Sequence, residues 1–191
     1  MPRPPRRNLV APGSVFHVYA RGNDRMTLFK GSEDYRSYLA DIAELKTPHG
    51  VLLYHYALMP NHIHLLLRIL EDGLSPFMKN LQCRFAKRFC RNNAFAGHVW
   101  QGRFKSKLID NDEYLLTCGN YIEMNPVRSG LADDPIDWPY SSYNFYAYGG
   151  PDQLVDANPL YRSLGSNAAQ RQKAYRQSIR ETTSVSGTDG A

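Results

Sequence analysis

The chain has 191 residues, of which 42% are hydrophobic and 12% aromatic, enough for one well-buried core and too much for a disordered protein. A formal net charge of +5 and a pI of about 9.1 suit a polyanionic partner. Three cysteines (Cys83, Cys90 and Cys118) without a C-x-x-C pair argue against a disulfide framework or a zinc knuckle; no apolar run is long enough to cross a bilayer or lead secretion, so a cytoplasmic protein is expected.

Residues 1–12 are rich in Pro and Arg (Arg3, Arg6, Arg7) and read as an extended basic arm. From Ser14 to Ala20, Val15, His17 and Tyr19 alternate with Phe16 and Val18, the period of a strand, and Arg21-Gly22-Asn23-Asp24 turns out of it. Ser32-Glu33-Asp34 caps a helix to about Lys46, with Tyr35, Tyr38, Leu39, Ile42 and Leu45 on one side; Pro48-His49-Gly50 breaks it. A strand over 51–58, a tight turn at Met59-Pro60-Asn61 and a strand over 62–69 make a hairpin. Ser75-Pro76 opens a second helix to about Arg91. Phe77, Leu81 and Phe85 form its core face, and Arg84, Lys87, Arg88 and Arg91 a basic stripe beside it.

Trp100 to Ile109 reads as a fourth strand, basic and half apolar through Arg103-Phe104-Lys105-Ser106-Lys107. Asp110-Asn111-Asp112 caps a third helix, which must stop near Asn125 because the residue before Pro126 is disfavoured in helix. A loop rich in Pro and aromatics follows, through Trp138-Pro139-Tyr140-Ser141-Ser142-Tyr143. Residues from Asn167 to about Arg180 read as a final basic helix, and those from Thr182 onward as a disordered tail. The order strand, helix, strand, strand, helix, strand predicts an α+β fold: a ferredoxin-like split βαβ antiparallel sheet with helices on one face, plus an added helix. The expected organisation is a basic arm (1–12), a main domain (13–150), a helical extension (151–181) and a tail (182–191).

The residues that carry chemistry are few. His62 and His64 flank Ile63 in a strand, so both imidazoles lie on one face, about 6.6 Å apart along the chain. Such a pair can chelate one divalent cation, and a packed or solvated pair reads equally well from these two residues alone. Tyr121 and Asn125 are four apart at the end of the third helix and share a face. A phenol and a carboxamide there are suited to meet a metal held by the histidines; a half-buried tyrosine and a helix cap are the plain alternative. Tyr114, on nearly the same face, is the alternative nucleophile. His17, His49, His55 and His98 read as ordinary packed or exposed histidines.

Taken together, three motifs carry a resemblance. Ala57-Leu58-Met59-Pro60-Asn61-His62-Ile63-His64-Leu65-Leu66 resembles the signature of single-tyrosine transposases of the HUH superfamily. Trp100-Gln101-Gly102-Arg103-Phe104-Lys105-Ser106 and Tyr121-Ile122-Glu123-Met124-Asn125-Pro126-Val127-Arg128 resemble two further signatures of its REP-associated branch. Arg21-Gly22-Asn23, the Trp138–Tyr143 stretch and the Leu164-Gly165 … Arg171 … Ala174-Tyr175-Arg176 tail are similar to it too, so the likeness spans about 14–180.

The resemblance implies a ferredoxin-like nuclease, Mg2+ or Mn2+, and single-stranded or hairpin DNA as substrate. It implies strand cleavage and rejoining by transesterification through a 5′-phosphotyrosine, with no nucleotide cofactor. Carried over by position, Tyr121 is the nucleophile, His62 and His64 are metal ligands, and Asn125 matches the place that completes the metal site, where many relatives have glutamine. Candidate DNA contacts are Arg21, Arg25, Arg84, Lys87, Arg88, Arg91, Arg103, Lys105 and Lys107, with Trp100, Phe104 and Tyr143 as stacking candidates. A monomer and a homodimer are both compatible. A hairpin-binding protein that does not cut, and a metal nuclease that uses water, are the competing functions. Gly119 departs from a good helix: at a cost of about 1 kcal/mol against Ala, it reads as a loose point beneath Tyr121.

Overall fold

The structure is a computed structural model and describes residues 11–185. The cationic arm residues Arg3, Arg6 and Arg7, and the tail from 186, lie outside the described residues. In chain order the elements are β1 (Val15–Arg21), α1 (Ser32–Lys46), β2 (Val51–Met59), β3 (His62–Ile69), α2 (Leu74–Asn93), β4 (Lys105–Ile109), α3 (Asp112–Glu123), α4 (Asn125–Arg128), α5 (Tyr143–Tyr148), α6 (Pro159–Ser163) and α7 (Ala168–Val185).

The four strands form one antiparallel sheet in the order β2-β3-β1-β4, so β1 and β3 are the central pair, as the split βαβ reading expects. Alternation then sorts the side chains. Phe16 and Val18 of β1 and Ile63, Leu65 and Leu67 of β3 face α1 and α2, which supply Tyr38, Ile42, Phe77, Leu81 and Phe85 to the main core. The opposite face carries Leu66, Ala57 and Ile109, covered by Leu115, Cys118 and Ile122 of α3. The added helix thus lies across the face that α1 and α2 leave open.

Two local departures shape that face. The register of β2 against β3 shifts between Leu53 and His55. Tyr54 is the extra residue of a bulge, so Tyr54 and His55 both turn toward α3 rather than alternating. The fourth strand begins at Lys105, not Trp100. Trp100 makes one isolated bridge to Gly22, and Gly102 at φ +127 leaves the extended ladder between them.

The outer edge of β2 is closed by later chain. Leu58 N–H donates to the Tyr140 carbonyl (2.9 Å), Ser142 N–H to Tyr56 (3.1 Å) and Asp156 N–H to Leu53 (2.8 Å). The C-terminal helix is part of the same body, with Tyr175 and Ile179 buried in the main core. It runs on to Val185, past the point where the sequence places the start of the tail. Among the described residues, no helix is long and apolar enough to cross a membrane.

Candidate active site

Pairing of β1 with β3 sets Tyr19 opposite His64 and Arg21 opposite His62, so one sheet face gathers His17, Tyr19, Arg21, His62 and His64. The His62 and His64 rings lie 5.1 Å apart, and the Tyr19 ring 5.5 and 5.0 Å from them. His17 stacks on His64 at 5.1 Å, with its Nε2 2.9 Å from Nδ1 of His64. Burial, reinforced by Lys107, lowers the pKa of His17 to about 4. Burial, reinforced by Arg21, lowers that of His62 to about 4. His64 is pushed well below the ordinary imidazole range, by burial first and then by its cationic and imidazole neighbours. All three rings are therefore neutral at neutral pH, the form that ligates metal.

The hydrogen bonds also select which nitrogen is offered. Asn61 Nδ2–H donates to the Arg25 carbonyl (3.2 Å), which turns its Oδ1 to Nδ1 of His62 (2.6 Å). That bond fixes the His62 proton on Nδ1 and leaves the lone pair on Nε2. His17 engages Nδ1 of His64, and when His17 Nε2 is the acceptor the lone pair of His64 is left on its Nε2 as well. The pair fits a divalent cation in this respect. Among the described residues, no three His, Cys, Asp or Glu side chains are arranged around a cation, so the histidines need a further donor of another kind.

Helix α3 carries Tyr121 to this face. Asn111 caps it, its Oδ1 accepting from Tyr114 N–H at 2.8 Å, and Leu115, Cys118 and Ile122 bury its inner stripe. Tyr121 sits off that stripe, 40% exposed, its ring 6.0 Å from the rings of both His64 and His17. The Arg128 guanidinium lies 5.1 Å above the Tyr121 ring. The helix ends at Glu123, and Asn125 opens the one-turn α4, where Pro126 is tolerated. Asn125 Nδ2 donates back to the carbonyls of Tyr121 (2.7 Å) and Ile122 (3.3 Å), which directs its amide hydrogens into the helix end and leaves Oδ1 as an acceptor. Asn125 thus caps Tyr121's own helix. Tyr114 instead accepts from Lys107 Nζ at 2.6 Å.

Gly119 is not a loose point. A Cβ there would stand 2.8 Å from Cε1 and Nε2 of His55, so the helix is docked against that ring and has no room for a side chain. His55 itself is buried with Nδ1 2.9 Å from Oε1 of Glu123, a structured role that its sequence position did not reveal. His17 and Tyr19 were also missed as site residues. The signal was present, since both fall on the same parity as Arg21 in a strand expected at the centre of the sheet.

The basic candidates divide. Arg21, Arg25, Asn61 and His62 line a cleft of about 550 Å³ with Ser129 and Leu131. Arg21 also borders a second cleft, of about 370 Å³, with Tyr19, Gln101, Arg103 and Lys105. Lys107 pairs across β1 with His17 and reaches Tyr114. Arg84, Lys87, Arg88 and Arg91 belong to α2, which packs on the other sheet face. Arg84 binds Glu44 (2.6 Å) and Arg88 binds Asp41 (2.8 Å). The stacking candidates Phe104 and Tyr143 are core residues, and Trp100 packs on the core with its indole N–H donating to the Gln82 carbonyl at 3.0 Å.

Residues 12–125 match the family of IS200-like transposases. A Haemophilus influenzae protein named as a REP-associated tyrosine transposase is 31% identical over 128 residues, covering 57% of this chain and 73% of that protein. The REP-associated tyrosine transposase of Escherichia coli K12 is 24% identical over 141 residues, 73% of this chain and 81% of that one. The solved structure of a REP-associated tyrosine transposase bound to a REP hairpin has the same fold, with a TM-score of 0.60 at 22% identity, over 78% of this chain and 88% of that chain.

Proposed function

This chain belongs to the IS200-like transposase family, among the REP-associated tyrosine transposases, and on that premise we propose that it cuts and rejoins single-stranded hairpin DNA through Tyr121. The observation that carries the proposal is the convergence of α3 on the sheet. A half-exposed phenol stands 6.0 Å from the rings of the buried His64 and the part-buried His17, both neutral, where β1 and β3 set His17, His62 and His64 side by side.

In the proposed reaction Tyr121 Oη attacks a backbone phosphorus. The bond from phosphorus to the 3′ oxygen breaks, the phenolic proton passes to that departing oxygen to give a free 3′ hydroxyl, and the 5′ phosphate stays on the tyrosine. Attack by a 3′ hydroxyl reverses the step, so one phosphodiester replaces another and no nucleotide is consumed. Arg128 sets positive charge beside the tyrosine ring. Arg21 and Arg25 on one cleft, and Arg103 and Lys105 on the other, are the proposed phosphate contacts, flanking the histidines on the same side as Tyr121. The stripe on α2 faces away, and two of its arginines are committed to carboxylates.

His62 and His64 through Nε2, and Asn125 through Oδ1, are the donors that would hold Mg2+ or Mn2+. The ion would supply charge stabilisation at the phosphate. Asn61 and His17 orient the two rings for that purpose.

The test is a denaturing gel after incubating the protein with Mn2+ and single-stranded hairpin DNA from beside its own gene. A covalent adduct that is absent in Tyr121→Phe is the expected result. Cleavage without an adduct would replace the proposal with a water-using nuclease, and tight binding with neither product would replace it with a hairpin-binding protein.

A further inference from the structure

The back of α3 carries a second, fully enclosed polar centre. Glu123 has no exposed surface, so its carboxyl group has to find its partners inside the protein. It is met from three separate segments. His55 of β2 approaches Oε1 with Nδ1 at 2.9 Å, Ser142 before α5 donates to Oε1 at 2.5 Å, and Tyr175 of α7 donates to Oε2 at 2.6 Å. The rings behind them form a stack: His55 on Tyr146 at 4.3 Å, and Tyr146 on Tyr175 at 5.2 Å. One residue before Tyr121, Asn120 Nδ2 donates to Ser178 Oγ of α7 at 3.1 Å.

Helical geometry gives this centre its meaning. Gly119 and Glu123 are one turn apart and share a helix face, while Tyr121, midway between them, projects from the opposite side. Gly119 rests on His55 and Glu123 is bonded to it, so the turn that bears Tyr121 is fixed in depth and rotation from behind. We infer that Glu123 is a positioning residue for Tyr121, and that Tyr175 makes the C-terminal helix part of that positioning. The centre touches neither His62 nor His64, nor the basic clefts, so it acts on the place of the nucleophile and not on the grip on DNA.

The inference rests on Tyr121 being the nucleophile, and its test separates the two. Tyr175→Phe and Glu123→Gln are compared with wild type and with Lys173→Ala, a solvent-facing change on the same helix. The full-length proteins are assayed below their melting temperatures. Single-turnover adduct formation at saturating hairpin DNA should fall by about tenfold to a hundredfold in the two network variants, the range a small misplacement of a reacting group produces. Hairpin Kd should be unchanged. A single fluorotyrosine placed at position 121 should shift or broaden its 19F resonance in both variants and not in Lys173→Ala.

An unchanged 19F signal would overturn the inference, and so would a full cleavage rate per folded molecule. A loss of rate matched by a loss of folded protein would also overturn it, leaving Glu123 structural only. If wild type forms no adduct, the nucleophile reading fails; the fluorine signal still decides whether Glu123 and Tyr175 set the place of Tyr121.

Discussion

His62 and His64 owe their common face to strand parity; Asn61 fixes which nitrogen of His62 is free, and His17 engages one nitrogen of His64. If they hold the ion as proposed, replacing either histidine with Ala should abolish Mn2+ binding measured by calorimetry and lower adduct yield by at least about a hundredfold. Asn61→Ala should weaken Mn2+ binding by about tenfold, because the His62 ring loses the partner that fixes its tautomer and angle. At Gly119 two effects oppose. Ala gains about 1 kcal/mol in helix propensity, and overpacking costs about 1 to 3 kcal/mol. The His55 ring cannot move aside easily, being stacked on Tyr146 and bonded to Glu123. Gly119→Ala should therefore destabilise the protein in urea unfolding, against its propensity.

At the scale of elements, the strands and helices were legible where periodicity was clean. The His-x-His strand, the capped α1 and α3 and the Phe77-Leu81-Phe85 face of α2 all stand where their patterns place them. Less legible was what depends on neighbours far along the chain. The bulge at Tyr54 puts His55 on the face of α3, and no alternation in β2 announces it. Phe104 and Tyr143 look alike as stacking platforms or as core, and only the packing of other segments decides for core. In the candidate site, the Tyr121 ring lies 6.0 Å from that of His64, beside His62 on the same strand face, while His17 and Tyr19 enter through the pairing of β1 with β3. The closed edge of β2 gives a prediction of its own. Asp156 accepts from Leu53 N–H (2.9 Å) and from Lys46 Nζ (2.7 Å). Asp156→Ala should lower unfolding free energy by about 1 to 3 kcal/mol, read in urea, because both donors lose a partly buried acceptor.

Across the whole molecule, the two sheet faces divide the labour. The α1–α2 face holds most of the apolar core; the other face holds the histidines, the clefts and the tyrosine helix. Charge follows the same division: Arg84 and Arg88 are spent on local carboxylates, while Arg21, Arg25, Arg103 and Lys105 border the clefts. Salt should therefore weaken hairpin binding through the cleft residues. Arg21→Ala should reduce the slope of log Kd against log salt by about one, and Arg84→Ala should leave it unchanged. The C-terminal chain belongs to this body, not to an appendage, for residues 140–156 pair with β2 and Tyr175 and Ile179 are buried.

That last feature has a bearing on timing. The hairpin bearing His62 and His64 closes from neighbouring residues, whereas the edge of β2 waits for Tyr140 and Asp156, and the carboxylate behind Tyr121 waits for Tyr175. On a ribosome that order is also the order of emergence. A nascent chain can present the strand of His62 and His64 well before the helix of Tyr121 is anchored, and under the proposed function the ability to break DNA would be among the last properties that synthesis confers.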